Sequence, residues 1–324
     1  MKLATLAAAP QRLVFFGTPA LAASVLGQLL RGPDTIVGVF TRPDARRGRG
    51  MELLPPPVKQ LATEHGIPVF QPTQWRDGEA VAALLSLDAD LGITAAYGRI
   101  LPQEALDAPR MGCINVHASL LPRWRGADPI RRAILTGDPE TGVTIMQMVL
   151  QMDAGASLWQ RRLKIADDET LDSLEAKLAQ LGGQALCEAL QHWREEGLEA
   201  TPQDEALITM APLAQKADGR IDWHEAATAI ERRVRAFSPW PGATTLHAGH
   251  PLRLWRTAVV IEPDTETSAT APGTILKLDK HGILIATGEA TLRLIEIQPA
   301  GKKRMAAADW ARGARLCTGG KLGI

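Results

Sequence analysis

The chain is poor in several things, and each shortage removes a class of protein. Its three cysteines, Cys113, Cys187 and Cys317, are odd in number, far apart and without metal-ligand spacing. A disulfide framework is excluded and a reducing compartment, the cytoplasm or an organellar matrix, is expected. No apolar run reaches the length of a membrane span. Charge is balanced at 36 basic and 36 acidic residues, which excludes a globally basic nucleic-acid binder but leaves room for local basic patches. Aromatic residues make up only 4% of the sequence. The first turn, Phe16-Gly17-Thr18-Pro19, has one glycine where a pyrophosphate-binding G-x-G-x-x-G would need three, so a nicotinamide or flavin dinucleotide is disfavoured. His247 and His250 form H-x-x-H at a turn with no third ligand nearby, and no metal site is expected.

What is present is an alternation of strand and helix patterns through the first half. Arg12–Phe16, Ile36–Thr41, Leu91–Ala96, Cys113–His117 and Val143–Met148 read as strands, with helices over 19–30, 58–65, 80–87, 129–136 and 171–193. This predicts an α/β domain with a doubly wound, mostly parallel, Rossmann-like sheet over residues 1–196. The leader before Arg12 reads as a short ragged terminus. A polar, proline-containing connection over 197–219 follows. From 220 to 324 short strands with tight turns then predict a smaller β-barrel, of which the oligonucleotide-binding (OB-like) barrel is one common form. A loop is expected between Val260 and Pro272. At 324 residues, two domains are the natural division.

The chemistry concentrates between Gly112 and Asp153. Period-two alternation places Asn115 and His117 on one face of a short strand, which Ser119-Leu120-Leu121-Pro122 brings to an end. A histidine alone at a strand end is usually a structural residue. Here an amide shares its face, and Asp153 lies in a Gly-flanked loop after another apolar strand, where its carboxylate can reach back to the imidazole. Ligands of open α/β sheets bind beyond the carboxyl ends of strands. Thr41–Pro57 leaves that same rim with Arg42, Arg46, Arg47 and Arg49, too long for an ordinary tight connection and suited to a phosphate-rich substrate. Trp124 between Arg123 and Arg125 offers a possible stacking surface.

Asn115-x-His117, Ser119-Leu-Leu-Pro122 and Met152-Asp-Ala-Gly155 together resemble the tetrahydrofolate-dependent formyltransferases. The resemblance runs nearly end to end, through Arg42-Pro-Asp44, Ala96-Tyr-Gly98, Ile221-Asp-Trp223, Arg235-Ala-Phe-Ser-Pro-Trp-Pro241 and Gln298-Pro-Ala-Gly-Lys-Lys303. It implies formyl donation from 10-formyltetrahydrofolate to the amine of methionine esterified to initiator tRNA. It further implies that Asn115, His117 and Asp153 carry the chemistry, that Ser119, Leu120, Leu121 and Pro122 line the folate site, and that Arg49 lies in a loop approaching the acceptor end. With Arg42, Arg46, Arg47, Arg123 and Arg125 it forms the expected tRNA-binding set. Met51 and Glu52 stand where relatives often carry lysines, and Ala20 and Ala156 where an acid is frequent.

The residues themselves fit acyl transfer to an amine. Asn115 supplies an N–H for an oxyanion. His117 can accept the amine's proton or share the oxyanion, and Asp153 can fix its tautomer and stabilise the imidazolium. Direct transfer, with no covalent enzyme intermediate, is expected, from a monomer needing no metal and no membrane. The rivals are a formyltransferase for a sugar-nucleotide or other small amine, and a non-catalytic RNA-binding relative.

Overall fold

The computed structural model describes residues 6, 9–47, 51–76, 78–261 and 270–323. In chain order it contains β1 (Arg12–Gly17), α1 (Ala20–Leu29), β2 (Thr35–Phe40), β3 (Ala45–Arg47), β4 (Glu52–Leu54), α2 (Pro57–Glu64), β5 (Val69–Phe70), α3 (Glu79–Ser86), β6 (Leu91–Ala95), α4 (Gln103–Leu106), β7 (Cys113–His117), α5 (Pro129–Thr136), β8 (Glu140–Gln147), β9 (Ser157–Lys164) and α6 (Leu171–Glu195). There follow α7 (Ala227–Ala236), β10 (Ala243–His247), β11 (His250–Val260), β12 (Ile275–Asp279), β13 (Gly282–Ala286), β14 (Thr291–Pro299), β15 (Met305–Ala306) and α8 (Ala307–Gly313). The chain resolves into two compact units, one of residues 1–129, 140–164 and 175–212, the other of 130–139, 165–174 and 213–324.

The first unit holds a seven-stranded sheet in the order β5-β2-β1-β6-β7-β8-β9. β2, β1, β6 and β7 are parallel, as the alternation predicts, and β5, not expected from the sequence, adds a further parallel strand to β2, whereas β8 and β9 run antiparallel. A parallel return to the next strand requires a crossover layer on the sheet. α5, the one helix between β7 and β8, groups by its contacts with the second unit, and β8 comes back antiparallel. β9 escapes a reading based on hydropathy because its outer half, Gln160-Arg161-Arg162, is charged and exposed. Such charges blunt an edge strand against pairing with another chain.

Most of the first sheet is buried on both faces. Phe16 stacks on Phe40 at 5.2 Å between ring centroids, Phe40 on Phe70 at 4.8 Å, and Tyr97 meets Phe16 edge-on at 5.8 Å. Trp75 completes this cluster through Phe16 and Phe40. Each such pair contributes about 0.5–1.5 kcal/mol beyond the area it buries. Cys113 lies in the same core, and burial pushes its thiol up to about 12, so it is an inert packing residue.

In the second unit the strands pair antiparallel in the order β10-β11-β14-β13-β12, with β15 added to β14. The gap between the end strands β12 and β10 is filled by residues 319–323. Ile275 N–H donates to Gly320 O at 2.8 Å, Leu322 N–H to Gly273 O at 2.9 Å, and Gly323 N–H to Leu246 O at 2.8 Å. The series of short strands thus curls into a closed antiparallel sheet. Its core is built on Ile230 and Val234 of α7 and the inward residues Leu252, Leu254, Ile283, Ile285, Leu292 and Leu294. Residues 262–269, within the loop expected between Val260 and Pro272, lie outside the described residues. Ile283 is fully buried, and Ile283→Ala is expected to destabilise this unit by about 2–5 kcal/mol. Chemical denaturation followed by tryptophan fluorescence would show it; a loss under about 1 kcal/mol would mean that the core does not close on this residue.

Candidate active site

β7 presents alternating residues to two faces, Ile114 and Val116 to one, Cys113, Asn115 and His117 to the other. In register, Thr94 of β6 and Met146 of β8 flank Asn115, and Thr144 of β8 lies beside His117. Among the described residues the half-buried Asn115 amide has no hydrogen-bond partner, and the buried Thr94 hydroxyl beside it is also unpartnered. Buried polar groups are nearly always paired. The buried, unpaired Thr94 hydroxyl beside the half-buried, unpaired Asn115 amide marks a place at the carboxyl end of a parallel sheet where a polar ligand can bind.

His117 is 5% exposed. Its Nε2–H donates to the Trp124 carbonyl at 2.9 Å, and its Nδ1 faces Asp153 Oδ1 at 3.7 Å. The carbonyl can only accept, so the neutral ring carries its proton on Nε2 and leaves a lone pair on Nδ1. Fixing the tautomer, the task expected of Asp153, therefore falls to a backbone carbonyl. At 3.7 Å the Asp153 carboxylate is outside hydrogen-bond range and close enough to stabilise a proton arriving on Nδ1. Its other oxygen accepts Gly126 N–H at 2.8 Å.

Because β8 is antiparallel, its exit at Gln147 lies opposite Ile114, at the far end of β7 from His117. The loop after Gln147 must turn back along the sheet for Asp153 to reach the imidazole. Gly155 permits that turn: a Cβ there would sit 1.9 Å from the Gln147 carbonyl oxygen.

The segment after β7 is held from below. Thr144 Oγ1 donates to Ser119 O at 2.7 Å and accepts Leu121 N–H at 3.0 Å, and Gln160 Nε2 donates to Leu121 O at 2.9 Å. Ser119 Oγ donates to Arg123 O at 2.6 Å, and the Leu121–Pro122 peptide is cis. Of the four residues expected to line a folate site, Ser119 and Leu121 are buried in this base, while Leu120 and Pro122 are half-buried. Exposed apolar side chains lie instead on the loops after β6 and β8, at Ile100, Val149, Leu150 and Met152. Sequence reading passes over them because loop hydrophobes have no periodicity to flag them.

The arginines separate in the same way. Arg42 and Arg46 are exposed, the latter in a short β3–β4 hairpin whose backbone pairs Arg47 with Glu52; Arg49 lies outside the described residues. The hairpin is anchored through Asp44, whose carboxylate accepts from Lys59 Nζ at 2.8 Å and from Gln71 Nε2 at 2.8 Å. The Lys59 ammonium and the Gln71 amide hold that carboxyl below its usual range, so the anchor is complete above the ordinary carboxylate pKa and is lost only as pH falls below it. Arg123 is exposed over the Trp124 ring at 4.3 Å. Arg125 is 6% exposed, its Nε–H donating to Gln203 Oε1 at 2.9 Å, and Trp124 is also buried, so neither is a surface contact. Among the described residues no group of three or more His, Cys, Asp or Glu side chains gathers to hold a metal ion.

Comparison with known proteins gives the family. A profile of the formyl transferase family matches residues 11–190, and one of the formyl transferase C-terminal domain matches residues 214–315. Methionyl-tRNA formyltransferase of Acidithiobacillus ferrooxidans is 49% identical over 97% of this chain and 99% of its own length. The protein of the same name from Magnetococcus marinus is 46% identical over 96% and 98%. Among solved structures, an N-formyltransferase from Helicobacter canadensis, in complex with folinic acid and dTDP-3-aminofucose, shares the fold with a TM-score of 0.66 at 14% identity, over 89% of this chain and 99% of its own. HypX from Aquifex aeolicus in complex with tetrahydrofolic acid aligns at a TM-score of 0.60 and 18% identity, over 94% of this chain and 47% of its own. The chain therefore belongs to the formyl transferases, among the relatives named methionyl-tRNA formyltransferase.

Proposed function

We propose that the chain transfers the formyl group of 10-formyltetrahydrofolate to the α-amine of methionine carried by initiator tRNA, with Asn115, His117 and Asp153 performing the chemistry. The observation that carries the assignment of roles is the free Asn115 amide beside a histidine whose Nε2 is committed to a carbonyl and whose Nδ1 is not. As the amine attacks the formyl carbon, a C–N bond forms and negative charge grows on the formyl oxygen, where the Asn115 N–H groups stabilise it. The nitrogen becomes cationic, and His117 Nδ1 takes its proton, the resulting imidazolium being held by Asp153. Collapse of the intermediate breaks the bond to the folate N10, which takes the proton from Nδ1. The balance closes without a covalent enzyme intermediate and without a redox partner.

The apolar body of the folate packs against Ile100, Val149, Leu150 and Met152, with Leu120 and Pro122 at the base. Arg42, Arg46 and Arg123 attract the phosphates near the acceptor end. Residues 1–196 form the catalytic domain, and the barrel over 220–324 adds tRNA surface. The enzyme acts as a cytoplasmic monomer; no helix among the described residues is long and apolar enough to cross a membrane. The deciding assay offers methionyl initiator tRNA, elongator methionyl-tRNA, free methionine and an amino-sugar nucleotide in parallel with 10-formyltetrahydrofolate. Product on initiator tRNA alone supports the proposal, and product on the small amine alone overturns it. Arg42→Glu and Arg46→Glu are expected to raise the KM for tRNA and to lower the slope of log KM against log salt by about one each, with the KM for folate unchanged. Unaltered salt dependence in both would remove this hairpin from the interface.

A further inference from the structure

The two groups that contact the His117 ring share an unusual backbone. Trp124, whose carbonyl accepts from Nε2, has φ +64°, and Asp153, which faces Nδ1, has φ +49°. Non-glycine residues occupy this left-handed region only when their surroundings hold them there, and a bulky tryptophan is among the least suited to it. If Trp124 relaxed to an ordinary conformation, its carbonyl would turn away and the reason for His117 to keep its proton on Nε2 would vanish.

What holds both residues is one segment, 203–211. Trp124 N–H donates to Thr209 Oγ1 at 2.9 Å, Arg125 N–H to Thr209 O at 2.9 Å, and Ala211 N–H to Arg125 O at 2.7 Å. Gln203 Nε2 donates to Asp153 O at 2.8 Å and to Gly155 O at 2.7 Å, while its Oε1 accepts from Arg125 Nε at 2.9 Å. A single amide thus joins the Asp153 loop to the Trp124-Arg125 turn. The segment lies between the two family matches, which end at 190 and resume at 214, and within the polar stretch that composition marks as a connection.

We propose that residues 203–211 are a positioning strap for the catalytic histidine, with Gln203 and Thr209 as positioning residues that fix its tautomer and the approach of Asp153 without touching substrate. The proposal rests on His117 being the proton acceptor. With the strap in place the lone pair stays on Nδ1, beside the carboxylate that will hold the arriving proton; with it loosened, the ring exchanges between tautomers and only part of the population can accept the amine's proton.

The test combines histidine imidazole ¹⁵N NMR with steady-state kinetics on the full-length protein, the His117 signals being assigned by their loss in His117→Gln. In the unmodified protein His117 is expected as the Nε2–H tautomer. Thr209→Val, which keeps the shape and removes the acceptor for Trp124 N–H, and Gln203→Leu are expected to average the two tautomers and to lower kcat by roughly tenfold to a hundredfold, with the KM for folate within about threefold. Thr209→Ser, which restores the hydroxyl, is expected to recover both the spectrum and kcat. A strap that only stabilised the fold would lower the melting temperature and leave the imidazole signature of the folded protein unchanged, and that result overturns the proposal. So does an Nδ1–H tautomer in the unmodified protein, which needs no variant to fold. If His117→Gln kept full activity, the proton-acceptor reading would fail while the tautomer measurements still stood, so the two failures are distinguishable.

Discussion

Asn115→Ala and His117→Ala are each expected to lower kcat for formyl transfer by about a hundredfold to a thousandfold, with little change in the KM for either substrate. In the proposed mechanism both side chains act on charge that exists only after the amine has attacked, so their loss falls on kcat rather than on ground-state binding. The double variant should be much less than multiplicatively worse, because in the proposed mechanism both side chains serve the same intermediate. A His117→Ala protein with a KM raised a hundredfold and an unchanged kcat would assign this residue to binding and remove it from the chemistry.

Gly126→Ala is expected to cost about a hundredfold in activity with the chain still folded. Gly126 has φ +118°, a conformation that L side chains rarely adopt, and a Cβ at this position would lie 2.7 Å from the Ala211 carbonyl oxygen. Relieving that contact moves either the backbone that donates to Asp153 Oδ2 or the segment that receives Arg125. In both cases Asp153 loses its fixed distance to His117. Circular dichroism should remain that of the folded protein while kcat falls. Full activity in Gly126→Ala would show that the Asp153 contact is not needed.

The parts legible in the sequence were those written in local pattern. Cys113–His117 alternates strictly enough that its strand and the shared face of Asn115 and His117 follow from period two, and the structure places both there. The parallel strands β2, β1, β6 and β7 and the hairpin at Asp279–Gly282 are similarly local, while the two-residue strand β5 was not read. Strand direction was not legible at β8, since apolar periodicity is identical in either sense. Arg125 and Trp124 look like surface residues between charges, yet they are buried by partners at Gln203 and Thr209 far along the chain. Nothing about a glutamine or a threonine in a proline-containing polar stretch announces such a role. The tautomer of His117 was equally hidden, because it depends on a backbone carbonyl, which has no identity in the sequence.

The geometry of the proposed site is held together by contacts of long sequence separation. The bonds from Thr209 to Trp124, from Gln203 to Arg125 and from Gln203 to Asp153 close loops of 85, 78 and 50 residues. Long loops are entropically costly to close and close late, after helices and neighbouring strands have formed. The site is consequently not a cassette. A fragment ending at the boundary of the first family match would retain Asn115, His117 and Asp153 yet lack Gln203 and Thr209, so the arrangement of the proposed site is a property of the chain through Ala211.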